Sequence, residues 1–311
     1  MIRKAGRDII HRYKGNPLIS IEDLPFMCSD IWNAAVVRFE DQCLLLMTVE
    51  TLEGLGSIYL ARGKDHGRFA VDPKPFMTAS EDGPFAPYER FGVRDPRVTL
   101  LEGTYYITYV AESEHGRRIG LAHTDDFRSV QRIGLISQTD NTNGALFPRK
   151  IKGRYAMLER PAEGGSIWIR YSDDLTYWGS SKVVMSPRGG FWDSTRIGAA
   201  GPPIEIGQGW LLIYYGEKGT SAGPLVRLGA AILNRDDPAR LIARSNIPIL
   251  SPRENYERIG DVGNMVFSCG ALLDPQGDMR IYYGASNSCI CLGTGTLDDI
   301  TRICRESEEE F

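Results

Sequence analysis

One pattern of residues recurs five times along the chain, and it restricts the possible folds more than any other feature. The segments are AVVRFEDQCLLLMTVE from Ala35, RVTLLEGTYYITYVAES from Arg97, LFPRKIKGRYAMLERP from Leu146, PPIEIGQGWLLIYYGEK from Pro202 and GALLDPQGDMRIYYGAS from Gly270. Each is an apolar run, a short polar turn and a second apolar run rich in β-branched and aromatic residues, the signature of a β-hairpin. A third strand-like stretch follows every hairpin: GSIYLARGKD, RRIGLAHTDD, GSIWIRYSDD, VRLGAAILNRDD and SCICLGTGTLDD. No single unit can bury both its faces, so the five must close into one array. Their starts are 62, 49, 56 and 68 residues apart, which leaves room for four short strands and a loop per unit. An all-β, five-bladed β-propeller around a central cavity is expected, forming a single domain over residues 1–311. Residues 1–15 are expected to form an N-terminal extension, able to reach a neighbouring subunit in a homo-oligomer. Residues 301–311 are expected to be a frayed, charged tail.

Composition narrows the possible partners. A hydrophobic content of 42% supports a large core, and a formal net charge of -4 offers no basic face for nucleic acid. The N-terminus is charged where a secretory leader would be apolar, and no run is long enough to span a bilayer, so a soluble, cytoplasmic protein without membrane contact is expected. The six cysteines, Cys28, Cys43, Cys269, Cys289, Cys291 and Cys304, read as free thiols, because a large apolar core needs no disulfide framework. None has zinc spacing, and neither metal nor cofactor is expected. The four histidines (His11, His66, His115 and His123) make no triad pattern with a serine. The recurring Asp-Asp pairs, 125–126, 173–174, 236–237 and 298–299, read as turns whose side chains cap backbone amides.

In a propeller the starts of successive units converge on the axis, so the residues at the seams deserve the closest reading. Before the second unit stands FGVRDPRV, with Asp95 and Arg97 flanking a proline that forces an extended entry. At the other seams are Asn33 in IWNAAV, Asn143 in NTNGALFP, Arg196 in TRIGAAGPP and Phe267 in NMVFSCG. One acid, two amides, two guanidinium groups and an aromatic ring together suit a polyhydroxylated ring. Trp32 and Trp192 adjoin these seams, where buried packing competes with stacking on a sugar.

The chain resembles glycoside hydrolase family 130, the five-bladed propellers that include mannoside phosphorylases and β-mannosidases. GVRDPRV is similar to that family's G-x-x-D-P-R segment, LFPRKIKGRYAMLERP to its L-F-P-x-K-I-x-G-x-Y segment, and RIGAAGPPIEIGQGWLLIYYG to its K-I-G-A-G-P-x-P-I stretch. RLGAAILNRDDPARLIARS is similar to its G-A-A-L-L-D-x-x-D-P segment. The resemblance implies that Asp95 is the general acid, protonating the departing sugar oxygen. It also implies that Asn33, Arg97 and Phe267 shape the pocket for the non-reducing mannosyl unit.

Departures from the family pattern bear on the nucleophile. Phosphate in a buried site needs several cations. Thr48 stands where an arginine is usual, Thr142 precedes Asn143 where the family has Arg-Asn, and Tyr215 stands where histidine is usual. Of these positions only Arg196, in place of a lysine, keeps a charge. On that count water is the expected nucleophile, which requires a carboxylate base, with Glu159, Glu217 and Glu50 as candidates. Arg160 reads equally as an ion-pair partner or a substrate clamp, and Asn287 replaces a common aspartate. The leading expectation is thus an inverting, exo-acting glycosidase that removes terminal β-mannosyl units from short oligosaccharides. A phosphorylase with an atypical phosphate site, using Arg196 with Arg94 or Arg160, is the alternative, and a non-catalytic sugar-binding propeller is the third.

Overall fold

A computed structural model of the chain describes residues 8–64 and 67–307; His66 lies outside them. Every repeat becomes one antiparallel sheet in which the expected hairpin forms the two inner strands and the third stretch pairs outside it. Blade 1 consists of Asp30–Phe39, Gln42–Glu50, Gly56–Gly63 and Phe69–Val71, from axis to rim. Blade 2 is Val93–Leu101, Thr104–Ser113, Gly116–Thr124 and Gln131–Leu135, and blade 3 is Asn141–Leu146, Tyr155–Pro161, Ile167–Ser172 and Trp178–Met185. Blade 4 has a divided inner strand, Arg196–Ala199 and Ile204–Ile206, followed by Gly209–Thr220, Gly223–Leu233 and Leu241–Arg244. Blade 5 is Val266–Leu273, Asp278–Ala285 and Cys289–Thr296.

Both chain termini differ from their expected state. His11–Arg12, within the segment expected as an extension, and Ile19–Ser20, beyond it, both pair with the third strand of blade 5, supply its outer edge and so close the ring. Residues 1–7 and 308–311 lie outside the described residues. The tail read as frayed is a helix over Leu297–Glu306, with Ile300, Thr301 and Cys304 buried, and Thr296 caps its N-terminus by accepting the Asp299 amide. Its fourth Asp-Asp pair therefore opens a helix, where acids complement the helix dipole. The other pairs mark turns. Asp126 and Asp174 each accept two amides of the following residues, while in blade 4 Asn234 accepts the amides of Asp236 and Asp237. None of the six cysteines forms a disulfide, and Cys289 and Cys291 face the same way along their strand with sulfurs 3.8 Å apart.

Three blades share a buried polar device that the repeat pattern did not disclose. A carboxylate from the loop before the blade accepts a tyrosine hydroxyl from the second strand and an arginine from the outer strand. The trios are Glu89, Tyr109 and Arg132 in blade 2, Asp193, Tyr214 and Arg244 in blade 4, and Glu257, Tyr283 and Arg12 in blade 5. All three carboxylates are fully buried. Burial pushes each tyrosine hydroxyl well above its ordinary pKa, so it remains a neutral donor. Each trio ties the entry loop to the rim of its blade and so sets where the inner strand begins.

Candidate active site

The inner strands of blades 1, 2 and 3 carry the same irregularity at the same height. Register shifts between Trp32 and Ala35, between Arg94 and Arg97, and between Thr142 and Ala145 each leave residues outside the ladder. Within those bulges Asn33, Asp95 and Asn143 adopt left-handed backbones, with φ of 50°, 54° and 59°. Asparagine and aspartate tolerate that region best among residues with a Cβ, and a bulge re-aims the side chain it carries. The strain, about 1 kcal/mol or more at each residue, persists where side-chain bonds hold the bulge.

Asp95 is held at three points. Its Oδ1 accepts Asn33 Nδ2 at 2.8 Å, its N–H donates to Thr48 Oγ1 at 2.9 Å, and its carbonyl accepts Arg97 Nη1 at 3.0 Å. Its Oδ2 makes no hydrogen bond to the described residues. Arg97 is 1% exposed, and its other two nitrogens donate to the carbonyls of Ala199 and Ala200 at 3.2 and 3.0 Å. Blades 2 and 4 are not neighbours, so this guanidinium bridges the axis itself. Every one of its nitrogens donates to backbone, so Arg97 braces the inner strands of blades 2 and 4 against each other.

Around the axis the remaining seam residues connect to one another. Asn143 Oδ1 accepts Arg160 Nε at 3.0 Å, Thr142 Oγ1 at 3.1 Å and Tyr215 Oη at 3.3 Å, and Thr142 Oγ1 accepts Arg160 Nη2 at 2.7 Å. Gly198 makes room for this node, since a Cβ there would lie 2.5 Å from the Tyr215 ring and 2.9 Å from Asn143. Tyr215 packs on Phe267 with ring centroids 4.7 Å apart. Phe267 pairs with Gly284, where an added Cβ would lie 2.9 Å from Asn33 Oδ1, and the circuit returns to blade 1. The Oδ1 atoms of Asn33 and Asn287 are buried without a partner. Orphaned buried acceptors of this kind fit hydroxyl donors of a ligand.

The glutamates fall in different places. Successive strand residues face opposite sides, so Arg160 points with Leu158 toward blade 4, while Glu159 points with Met157 toward blade 2. Glu159 lies 3.5 Å from Arg170 Nη1, and burial raises its carboxyl despite that charge. Glu217 stands directly across the strand pair from Arg196, whose Nε and Nη2 both reach Oε2, at 2.7 and 2.6 Å. Arg94 pairs with Glu112 at 2.5 Å, and Glu112 also accepts Arg117. Glu50 and Asp261 both raise the carboxyl of Asp30, though less than its partial burial does, which places Glu50 within an acidic group at the mouth of blade 1. Trp192 stacks on Tyr214 in the core and Trp32 is buried. Buried Glu159 yields a pH test. A carboxyl whose folded pKa is raised carries no penalty below its unfolded value and loses stability as pH rises through the folded one. The stability of Glu159→Gln relative to wild type is therefore expected to improve as pH climbs above the ordinary glutamate range in urea titrations. A difference independent of pH would count against a desolvated Glu159.

Arg160 is 8% exposed and has no carboxylate partner among the described residues. Burial raises the Tyr215 hydroxyl, while the charges of Arg160, Arg196 and Arg97 pull it the other way.

The glycoside hydrolase family 130 profile, described as β-1,4-mannooligosaccharide phosphorylase, matches residues 5–306. The chain belongs to glycoside hydrolase family 130. A Ruminococcus albus β-1,4-mannooligosaccharide phosphorylase is 32% identical over 304 residues, covering 94% of this chain and 90% of that one. A Listeria innocua β-1,2-mannobiose phosphorylase is 37% identical over 242 residues, covering 76% of this chain and 65% of the relative. The solved β-1,2-mannobiose complex of a Listeria innocua enzyme superposes with a TM-score of 0.87 at 29% identity, over 96% of this chain and 99% of that one. A family 130 structure reported with hydrolases acting on β-1,2-mannosidic linkages has a TM-score of 0.83 at 22% identity, covering 96% of each chain, a likeness of fold alone. Within family 130, the sequence motifs located the seams but did not disclose that Thr48 binds Asp95 or that Arg160 lacks a counter-charge. No local pattern signals either fact, because the partners stand on different strands.

Proposed function

We propose that the protein is an inverting β-mannoside phosphorylase. The observation that carries this is Arg160, a buried cation bonded only to the neutral oxygens of Thr142 and Asn143. A buried charge without a counter-ion is unfavourable unless a ligand supplies one. The guanidinium groups of Arg97, Arg160 and Arg196 outnumber the carboxylates of Asp95 and Glu217, an excess of positive charge that suits a phosphate anion. The curated relatives are named as mannoside phosphorylases, which supports the same substrate class.

In this reading the terminal mannosyl unit has its hydroxyls on the amide oxygens of Asn33 and Asn287. A proton on Asp95 Oδ2 passes to the glycosidic oxygen as the C1–O bond breaks, and a phosphate oxygen beside Arg160 attacks C1 from the opposite face. The products are a shortened saccharide and α-mannose 1-phosphate. Incubation of β-linked mannobiose with and without phosphate is expected to give cleavage only with phosphate. Free mannose formed at a similar rate without phosphate would favour hydrolysis, for which Glu159 and Glu217 remain the candidate bases. Removing a charged donor costs roughly 1.5–3 kcal/mol, so Arg160→Met should raise KM for phosphate about tenfold or more. KM for mannobiose should change little, and equal effects on both constants would place Arg160 elsewhere in the reaction.

A further inference from the structure

We propose that Thr48 is a positioning residue for Asp95, its hydroxyl fixing the left-handed backbone that aims the carboxyl. In the bulge of blade 2, Arg94 pairs with Val110 and Arg97 with Thr108, so Asp95 and Pro96 have no partner in the ladder. Proline has no N–H to satisfy, but Asp95 has one. That donor is met from another blade by Thr48 Oγ1 at 2.9 Å. Thr48 is fully buried in the second strand of blade 1, fixed between Trp32 and Ile58.

The device belongs to this chain's own sequence. An arginine, the residue that the family pattern has at this position, carries only donors and could not accept a backbone amide. Thr48 also completes a division of labour: it holds the Asp95 nitrogen, Arg97 holds the carbonyl and Asn33 holds Oδ1. Oδ2 is left to the substrate. Without the hydroxyl, the unmet buried amide and the positive φ both favour rotation of the peptide, which would carry the carboxyl away from Asn33.

The test compares Thr48→Val, which keeps the branched shape, with Thr48→Ser, which keeps the hydroxyl. Two substrates are used: β-linked mannobiose, whose sugar leaving group needs a proton, and 2,4-dinitrophenyl β-mannoside, whose leaving group does not. Thr48→Val is expected to lower kcat on mannobiose by about thirtyfold, a partial loss of the roughly 10²- to 10⁴-fold that a positioned acid contributes, with KM changed by less than about twofold. On the dinitrophenyl substrate the loss should stay under about threefold, and Thr48→Ser should resemble wild type on both. Equal losses on the two substrates, or a serine variant as impaired as the valine variant, would make Thr48 a packing residue and overturn the proposal. A crystal structure of Thr48→Val supplies a second criterion. Asp95 should leave positive φ and move beyond about 3.5 Å from Asn33, and an unmoved Asp95 would overturn the proposal whatever the enzyme's activity. The inference rests on Asp95 as proton donor, and failure of that role would appear separately, as an Asp95→Asn variant with full turnover.

Discussion

Replacing Asp95 by asparagine is expected to lower kcat on β-linked mannobiose by a factor of about 10³ to 10⁴, at the upper end of what a positioned acid contributes. The amide is nearly isosteric, and its oxygen can still accept Asn33 Nδ2, so the bulge and its contacts to Thr48 and Arg97 should survive. What disappears is the proton on Oδ2. KM should therefore change little, and the defect should shrink on a dinitrophenyl mannoside. The same variant separates an enzyme from a sugar-binding propeller. A protein that only binds would hold mannobiose equally well with either residue and would show no turnover to lose. If the asparagine variant cleaves mannobiose at the wild-type rate, Asp95 is not the acid and the reaction must draw its proton from elsewhere in the pocket.

The second large effect is on stability and lies far from the axis. Arg12 donates to both oxygens of Glu257, at 2.8 and 2.7 Å, and to the Ser251 carbonyl at 2.6 Å. Glu257 is fully buried and also accepts Tyr283 and the amides of Arg253 and Glu254. Arg12→Ala would leave that carboxylate in the interior without its cation, a change that typically costs 3–5 kcal/mol. The loss should be near 3 kcal/mol, toward the lower end, because three hydrogen bonds to Glu257 survive. Urea denaturation measures it. A double variant, Arg12→Met with Glu257→Gln, should recover part of the loss, since it removes the unpaired buried charge while the amide oxygen can still accept the remaining donors. A loss below about 1 kcal/mol would mean that Arg12 behaves as a surface partner and that ring closure rests on the strand pairing alone.

The legibility of the fold follows from the range of the interactions behind it. A hairpin is a local object. Glu102-Gly103 and Lys152-Gly153 both adopt the paired left-handed backbones of a two-residue turn, and the alternating runs on either side could be read directly. The C-terminal helix was equally local but was misread, because Asp298-Asp299 matched the turn motif of earlier blades. Thr296 as cap and the spacing of Leu297, Ile300 and Cys304 were the signals that should have decided it. The N-terminal strand could not be read in the same way. His11–Arg12 pairs with residues near 294, and a strand of two residues has no periodicity of its own.

The starts of the repeats located Asp95, Asn33, Asn143 and Phe267 at the seams, and the folded chain brings the inner strands that carry them to one axis. The charge balance was out of reach of sequence, because it depends on direction as well as identity. Glu159 and Arg160 are adjacent, yet they face different blades, and only Arg160 joins the cluster around Tyr215. Arg97 reads as a substrate contact until its nitrogens are found on the Ala199 and Ala200 carbonyls, and Thr48 reads as the loss of a cation until its hydroxyl is found on the Asp95 amide.

Sequence alone determined the repeat, hence the blades, and the seam residues that face the axis, since these depend on alternation and turns within some twenty residues. Tertiary structure alone decided how the ring closes and what each seam residue binds. Both are settled by contacts between blades, often a hundred or more residues apart in the chain, where the direction of a side chain and the presence of a counter-charge cannot be read from residue order.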